Sequence, residues 1–356
     1  MTERGGRTFE RILVTGGAGF IGSCFVRDLL GRRDRTEVTV LDKLTYAGNR
    51  GNLAPIEADP ELKRRYRFVH GDIADEDLVR RLTASVDAVV NFAAESHVDR
   101  SILDPEAFLR TGVVGVHVLL DAARHEGDAG RPVRFLQVST DEVYGSVEHG
   151  RSMESDALAP RSPYAAAKAA GELLVHAYNV TYGLDAVVTR GSNTYGPYQH
   201  PEKLIPLFVT NAIDHAPLPL YGDGLQRRDW LHVSDHAGAV DWVLRHGTAG
   251  EVYNLPGAAE LPNRDVVRML LDRLGKPWSL VRSVPDRPGH DWRYAMDGSK
   301  LESLGWRNRV GFEEGLAATV DWFRDNEDWW RATKSGDWDA YYKRQYAERL
   351  ASSTEA

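Results

Sequence analysis

The sequence has one cysteine, Cys24, in 356 residues, so no disulfide can form within the chain. That fits a reducing compartment, where a lone thiol in an apolar stretch is a small core filler. No apolar run reaches the roughly 18 residues that a membrane span needs. The first ten residues, Met1 to Glu10, are charged and lack the apolar centre of a secretory leader. An excess of basic residues is missing too: 44 Lys and Arg face 52 Asp and Glu, a net charge of −8. Nucleic acid and anionic membrane both call for a basic surface, so neither is an expected partner. An anionic small molecule is compatible with this charge, because it needs only a local positive cluster. Repeats and low-complexity tracts are absent, and 42% hydrophobic with 27% charged residues is ordinary for a globular chain. A soluble, cytoplasmic protein is the expectation.

What is present is a regular alternation through the first half. Short β-branched runs predict strands at 11–15, 37–42, 66–72, 88–94, 134–140 and 185–190. Their near-continuous apolar character predicts burial on both faces of a parallel sheet. Helical patterns separate them, most clearly at 105–126 and 163–182. The second opens with Ser162-Pro163, a cap followed by Pro in the first turn. Beyond about Ser192 prolines break the chain into shorter pieces, a helix is expected from a capping Asn263, and a Trp-rich stretch follows. Ser352 to Ala356 are expected to be unordered.

Residues 12–22 read Ile-Leu-Val-Thr-Gly-Gly-Ala-Gly-Phe-Ile-Gly. A strand entering Gly16-x-x-Gly19-x-x-Gly22 and then a helix is a dinucleotide cradle. Gly16 permits the tight turn, Gly19 lets the backbone approach a pyrophosphate, and Gly22 allows close helix–strand packing. The helix start, with Phe20 and Ile21, offers unpaired N–H groups to the phosphates. Asp42, closing the second strand 20 residues after Gly22, suits the ribose hydroxyls and would repel a 2′-phosphate, so NAD is expected over NADP. Lys43, Leu44 and Thr45 follow it. Asp72-Ile73 and Ala93-Ala94 end the next two strands, where small residues leave room for the cofactor.

Tyr164 and Lys168 stand four apart on a helical pattern and share a face. An ammonium beside a phenol favours the phenolate, which then acts as a base nearer neutral pH. With the glycine turn and a strand ending Val138-Ser139-Thr140, these residues resemble the extended branch of the short-chain dehydrogenase/reductase superfamily. The run Ser139-Thr140-Asp141-Glu142-Val143-Tyr144-Gly145 resembles the signature of the dTDP-glucose 4,6-dehydratases. Oxidation alone does not require the Asp-Glu pair, whereas dehydration needs an acid and a base of different pKa.

The resemblance spans roughly residues 10–330. It implies a Rossmann-type, doubly wound parallel sheet with a smaller C-terminal α/β substrate-binding domain. Residues 1–190 are expected in the NAD domain, with 205–245 returning to it, 191–335 mainly in the sugar domain, and 336–356 as a tail. It implies that Tyr164, with Lys168 and Thr140, takes the C4 hydroxyl proton as hydride moves to NAD. Glu142 as base and Asp141 as acid then remove water across C5 and C6, and hydride returns to C6. Ser96 and Thr111 join the implied cofactor contacts. His97, Asn193, Lys203 and Leu204 are implied on the sugar side, Pro219 and Tyr221 at the nucleobase, and Arg228, Asn254, Arg287 and His290 around the nucleotide. A homodimer built on helices 105–126 and 163–182 is implied as well.

Three positions depart from the family pattern. Gly112 follows Thr111 where Asn is usual, Thr194 replaces a second Asn, and Ala167 precedes Lys168 where Ser is frequent. His232 and His236 are four apart but lack a third ligand, so no metal is expected. Two other readings stay open: a nucleotide-sugar 4-epimerase or decarboxylase on the same scaffold, and an NAD-binding regulator without catalysis.

Overall fold

The computed structural model describes residues 6–32, 35–286, 289–334 and 337–355. Thirteen strands occur among them. β1 (Arg11–Thr15), β2 (Glu37–Asp42), β3 (Tyr66–His70), β4 (Ala88–Asn91), β5 (Arg134–Thr140), β6 (Ala186–Gly191) and β10 (Val252–Leu255) form one sheet in the order β10-β6-β5-β4-β1-β2-β3. Every pairing in it is parallel. The order reverses beside β1, which makes the sheet doubly wound and opens a crevice at the carboxyl ends of β1 and β4. Ile12, Leu13 and Val14 of β1 are wholly buried. Alternate residues feed two cores, one holding Ile12 and Val14 against the Phe20–Gly31 helix, the other holding Leu13 against helix Val116–Asp128. At about 1.5–3 kcal/mol per buried aliphatic side chain, such runs outweigh local propensity.

β3 and β4 stop earlier than the sequence pattern predicts. Gly71 still bonds Asp42 through its N–H, and Phe92 bonds Thr15, but the chain then leaves the sheet edge to form loops. The single helix expected at 105–126 is three pieces: Pro105–Leu109, a π-helical segment Arg110–Gly115, and Val116–Asp128. The widened turn lies where Gly112 meets the neighbouring helix Pro163–Tyr182. A Cβ on Gly112 would stand 3.1 Å from the Ala167 Cβ and 3.2 Å from its carbonyl oxygen. Two of the family departures are thus one contact. Helix Pro163–Tyr182 has the predicted bounds, with the Ser162 hydroxyl accepting from the Ala165 N–H at 3.1 Å.

The smaller lobe holds two three-stranded sheets. β7 (Asn193–Tyr195), β9 (Arg227–His232) and β11 (Ala259–Pro262) form one, in the order β11-β9-β7. β8 (Leu218–Tyr221), β12 (Val281–Val284) and β13 (Thr354–Glu355) form the other, in the order β13-β12-β8. Helix Leu204–Ile213 packs in this lobe's core with Val266, Leu270, Phe323 and Trp330, not with the large sheet. The return to the large sheet is made instead by helix Val233–His246 and β10, with Val240, Val243 and Leu255 in the first core. Asn263 is not a cap: the helix is Asn263–Leu274, Pro262 holds the cap position, and the Asn263 N–H is already bonded to Gln226. The expected tail is a helix, Asp337–Ala351, whose Trp338, Tyr341 and Tyr346 are buried; Thr354 and Glu355, expected to be unordered, pair with β12. Apolar aromatic surface drives this docking, which a reading by position in the chain misses. No helix among the described residues is long and apolar enough to cross a membrane.

Candidate active site

The turns at the carboxyl edge of the large sheet surround a cleft that is open to solvent. β1 runs into Gly16, whose φ of 69° belongs to the left-handed region. A Cβ there would sit 2.5 Å from the Ala93 nitrogen, and one on Gly22 would sit 2.3 Å from the Gly16 carbonyl oxygen. Only glycine lets the helix start this close to the strand. Gly19 caps the Phe20–Gly31 helix without a side-chain cap bond, so its first N–H groups are left to the cleft that Gly19, Phe20, Ile21 and Gly22 line.

Asp42 accepts the Ala18 N–H at 2.9 Å and the Leu44 N–H at 2.8 Å, tying the glycine turn to the next loop. Burial raises its pKa against the pull of those two bonds. Lys43 reaches Asp72 at 2.8 Å. Asp42, Lys43, Thr45, Asp72 and Ile73 line the cleft, as do Ala93, Ala94, Ser96 and Thr111. Leu44 does not: its φ is 54°, and its side chain packs against the first core instead. That turn carries the backbone N–H to Asp42 and the side chain away from the cofactor site.

Thr140 ends β5, and Asp141 and Glu142 begin the single 3₁₀ turn that follows, Asp141–Tyr144. Tyr164 sits in the first turn of its helix, with Lys168 one turn later. All five line the same cleft. The Thr140 hydroxyl donates to Asp141 at 3.1 Å, accepts the Glu142 N–H at 3.3 Å, and is hydrogen-bonded to Tyr164. Asp141 is buried, and burial first, the Glu142 charge second, push its pKa well above the carboxylate range. That shift favours its protonated form. The Lys168 ammonium donates to the Val138 carbonyl at 2.5 Å, and burial pulls it down to about 8. The phenol of Tyr164 does not follow the expectation from Lys168. Burial, then the Glu142 carboxylate, push it up, because both disfavour a second negative charge.

Asn193, Lys203 and Leu204 line the cleft as well. Asn193 keeps a buried side-chain oxygen without a partner, and Lys203 donates to the Ser96 carbonyl at 2.6 Å. The remaining described positions implied by resemblance are not among the residues that line the cleft. Asn254 is wholly buried, accepting from the Tyr144 hydroxyl and donating to the Ser152 and Asp297 carbonyls. Its bonding capacity is spent on the scaffold. Arg228 points into the 290–294 loop, bonding the Asp291 carbonyl and the His290 ring at 2.9 Å each. His290 completes that chain to Asp286 at 2.5 Å. His97 and Tyr221 contact helix Asp337–Ala351, Pro219 is buried in β8, and Arg287 lies outside the described residues.

Sequence reasoning passed over Glu95, Gln199, His200 and His236, which also line the cleft. His236 is buried, which pulls its pKa down to about 3, and its Nδ1 pairs with the Thr194 hydroxyl at 2.7 Å. The third departure thus has a partner. The only signal at His236 was its spacing from His232, which pointed to a metal pair. Among the described residues no three His, Cys, Asp or Glu side chains are grouped to hold a metal.

A doubly wound parallel sheet, a glycine-cradled helix start and a Thr–Tyr–Lys set at the end of β5 define the extended short-chain dehydrogenase/reductase class. A family model described as GDP-mannose 4,6 dehydratase matches residues 13–319, and the chain belongs to that family. A dTDP-glucose 4,6-dehydratase of Streptomyces niveus is 56% identical, over 92% of this chain and 96% of its own length. One from Streptomyces antibioticus is 54% identical, over 91% and 95%. The crystal structure of DesIV, a dTDP-glucose 4,6-dehydratase from Streptomyces venezuelae with NAD bound, superposes with a TM-score of 0.87. It is 56% identical and covers 91% of this chain and 100% of DesIV.

Proposed function

We propose that this chain is a dTDP-glucose 4,6-dehydratase, a lyase that converts dTDP-glucose to its 4-keto-6-deoxy derivative and water, with NAD held in the cleft. One observation carries the reading: a buried Asp141 and the adjacent Glu142 share the cleft with Thr140, Tyr164 and Lys168. An epimerase has no use for that carboxyl pair. Gly16 and Gly22, where a Cβ would collide, and the uncapped helix start at Gly19 fit a dinucleotide pyrophosphate, and Asp42 at the end of β2 fits its ribose. NAD, when bound there, supplies a reversible hydride acceptor.

The chain's own residues then divide the proton work. Tyr164, hydrogen-bonded to Thr140, takes the C4 hydroxyl proton. The resulting ketone acidifies C5–H, and Glu142 removes that proton. Asp141, whose raised pKa keeps a proton available, gives it to the departing C6 hydroxyl. Asn193 and Lys203 orient the sugar and its phosphates, with Tyr221 at the nucleobase.

The test is to incubate the purified protein with dTDP-glucose, without added NAD, and to follow the 4-keto product by its absorbance in strong base. Product without lasting reduced nicotinamide supports both the activity and a retained cofactor. No product, with NAD added as well, overturns the reading and moves the search to other nucleotide sugars.

The assembly we propose is a homodimer through helices Pro105–Leu109 to Val116–Asp128 and Pro163–Tyr182. Leu173 and Val180, two turns apart on the latter, are 61% and 69% exposed, and Leu109 and Val114 are about half exposed beside them. A second copy covers such a stripe by the same surface in a two-fold arrangement.

A further inference from the structure

The helix Asp337–Ala351 lies beyond the segment that the family model matches, yet it reaches the nucleotide end of the site. Its residues divide into two stripes, each with a four-residue repeat. Trp338, Tyr342 and Tyr346 belong to the core of the smaller lobe, with the Trp338 and Tyr342 rings stacked 4.9 Å apart. Tyr341, Gln345 and Arg349 form the other stripe, and each meets His97 or Tyr221. The Tyr341 hydroxyl meets His97 Nδ1 at 3.3 Å, and the Arg349 guanidinium lies 5.2 Å from the centre of the Tyr221 ring.

Gln345 makes the more specific contact. Its Nε2 donates to the Tyr221 hydroxyl at 2.9 Å and to Asp99 Oδ2 at 3.1 Å. The Tyr221 hydroxyl donates in turn to the same Asp99 oxygen at 3.1 Å. Asp99 is buried, so its carboxylate is a fixed acceptor in a setting where water cannot replace a lost donor. A tyrosine hydroxyl has one proton to give, and here it is committed to Asp99 while Gln345 and the Tyr346 hydroxyl fill the acceptor side. These bonds hold the Tyr221 ring against the C-terminal helix. Its edge neighbour is His290, at 5.8 Å between ring centres.

We propose that Gln345 is a positioning residue for nucleotide recognition: through the Tyr221–Gln345–Asp99 triangle, the C-terminal helix fixes the ring against which the nucleobase is read. The proposal rests on the dehydratase reading above, which places the base at Tyr221. Gln345 itself touches no reacting atom, so its removal acts on nucleotide affinity and base choice, not on turnover. Gln345→Ala leaves the apolar stripe of the helix untouched and preserves the fold.

The experiment measures dTDP and UDP binding by calorimetry to the full-length protein, to Gln345→Ala, to Tyr221→Phe and to the double variant. Gln345→Ala is expected to weaken dTDP about tenfold, the loss of one net hydrogen bond, and to narrow the preference for dTDP over UDP. In steady state its KM for dTDP-glucose rises by a similar factor while kcat stays within about twofold. In the Tyr221→Phe background the Gln345→Ala change is expected to add less than about twofold, because the hydroxyl it acts through is gone. Unchanged dTDP affinity in Gln345→Ala, or losses that multiply independently in the double variant, overturns the proposal while leaving the dehydratase reading intact. A full-length protein that binds no dTDP overturns both together.

Discussion

Asp141 and Glu142 are adjacent in the chain, yet only Asp141 is buried against Thr140 with one carboxyl oxygen unpartnered. Burial and the neighbouring Glu142 charge raise the proton affinity of Asp141, which suits the acid of an acid–base pair. Glu142→Gln is expected to retain C4 oxidation, seen as lasting reduced-nicotinamide absorbance after dTDP-glucose is added, and to lose the 4-keto-6-deoxy product. Asp141→Asn is expected to lower kcat by roughly 10²–10⁴, the usual worth of a general acid; dehydration at the normal rate in either variant sinks the assigned role. Lys168 makes a second prediction. Its pKa falls from 10.5 to about 8 on folding, so between those values the unfolded chain holds more protons. Stability contributed by this group therefore rises with pH from about 8 to about 10.5, as the buried charge is shed. Activity that depends on the ammonium falls across the same window. Opposite trends in melting temperature and kcat, both flattened in Lys168→Met, are the expected outcome.

At the scale of elements, Gly112 shows how a local penalty serves packing. Glycine costs a helix about 1 kcal/mol relative to alanine, but here it sits in a π-helical turn whose backbone abuts Ala167. Gly171 repeats the arrangement from the other side, since a Cβ there would lie 2.8 Å from the Gly112 carbonyl oxygen. The opposing atoms are backbone and cannot rotate away. Gly112→Leu is expected to destabilise the protein by about 1–3 kcal/mol, the range for overpacking, and to disturb Thr111, which lines the cleft from the same turn. Equilibrium urea unfolding with NAD retention measured in parallel checks this. A variant as stable as the parent would mean that the two helices have room to part.

For the whole molecule, the exposed stripe on helix Pro163–Tyr182 predicts the assembly. Leu173→Glu with Val180→Glu is expected to convert a dimer to a monomer in light scattering, since charges on that face resist desolvation. A parent protein already monomeric at micromolar concentration removes the dimer proposal. Tyr164 and Lys168 lie on the opposite, inward side of this helix, so the proposed pairing of copies leaves the cleft-lining face of the same element untouched.

Much of this was legible without coordinates because it is local. β1, β2, β5 and helix Pro163–Tyr182 have the bounds their periodicity predicts, since strand burial and helix caps are written in a few consecutive residues. The glycine turn, the Asp-Glu pair after Thr140 and the Tyr–Lys spacing belong to the same kind of signal. Other features depend on residues far apart in sequence. The inward turn of Arg228 toward His290, the burial of Asn254 among Ser152, Asp297 and Tyr144, and the docking of Gln345 on Tyr221 and Asp99 are long-range hydrogen bonds with no spacing rule. The sign of the Tyr164 shift is of this kind as well, because burial and the Glu142 charge arise only when β5 and its helix come together. The chain's local chemistry thus determined which groups could react, while tertiary packing decided their ionisation and which of them face the cleft.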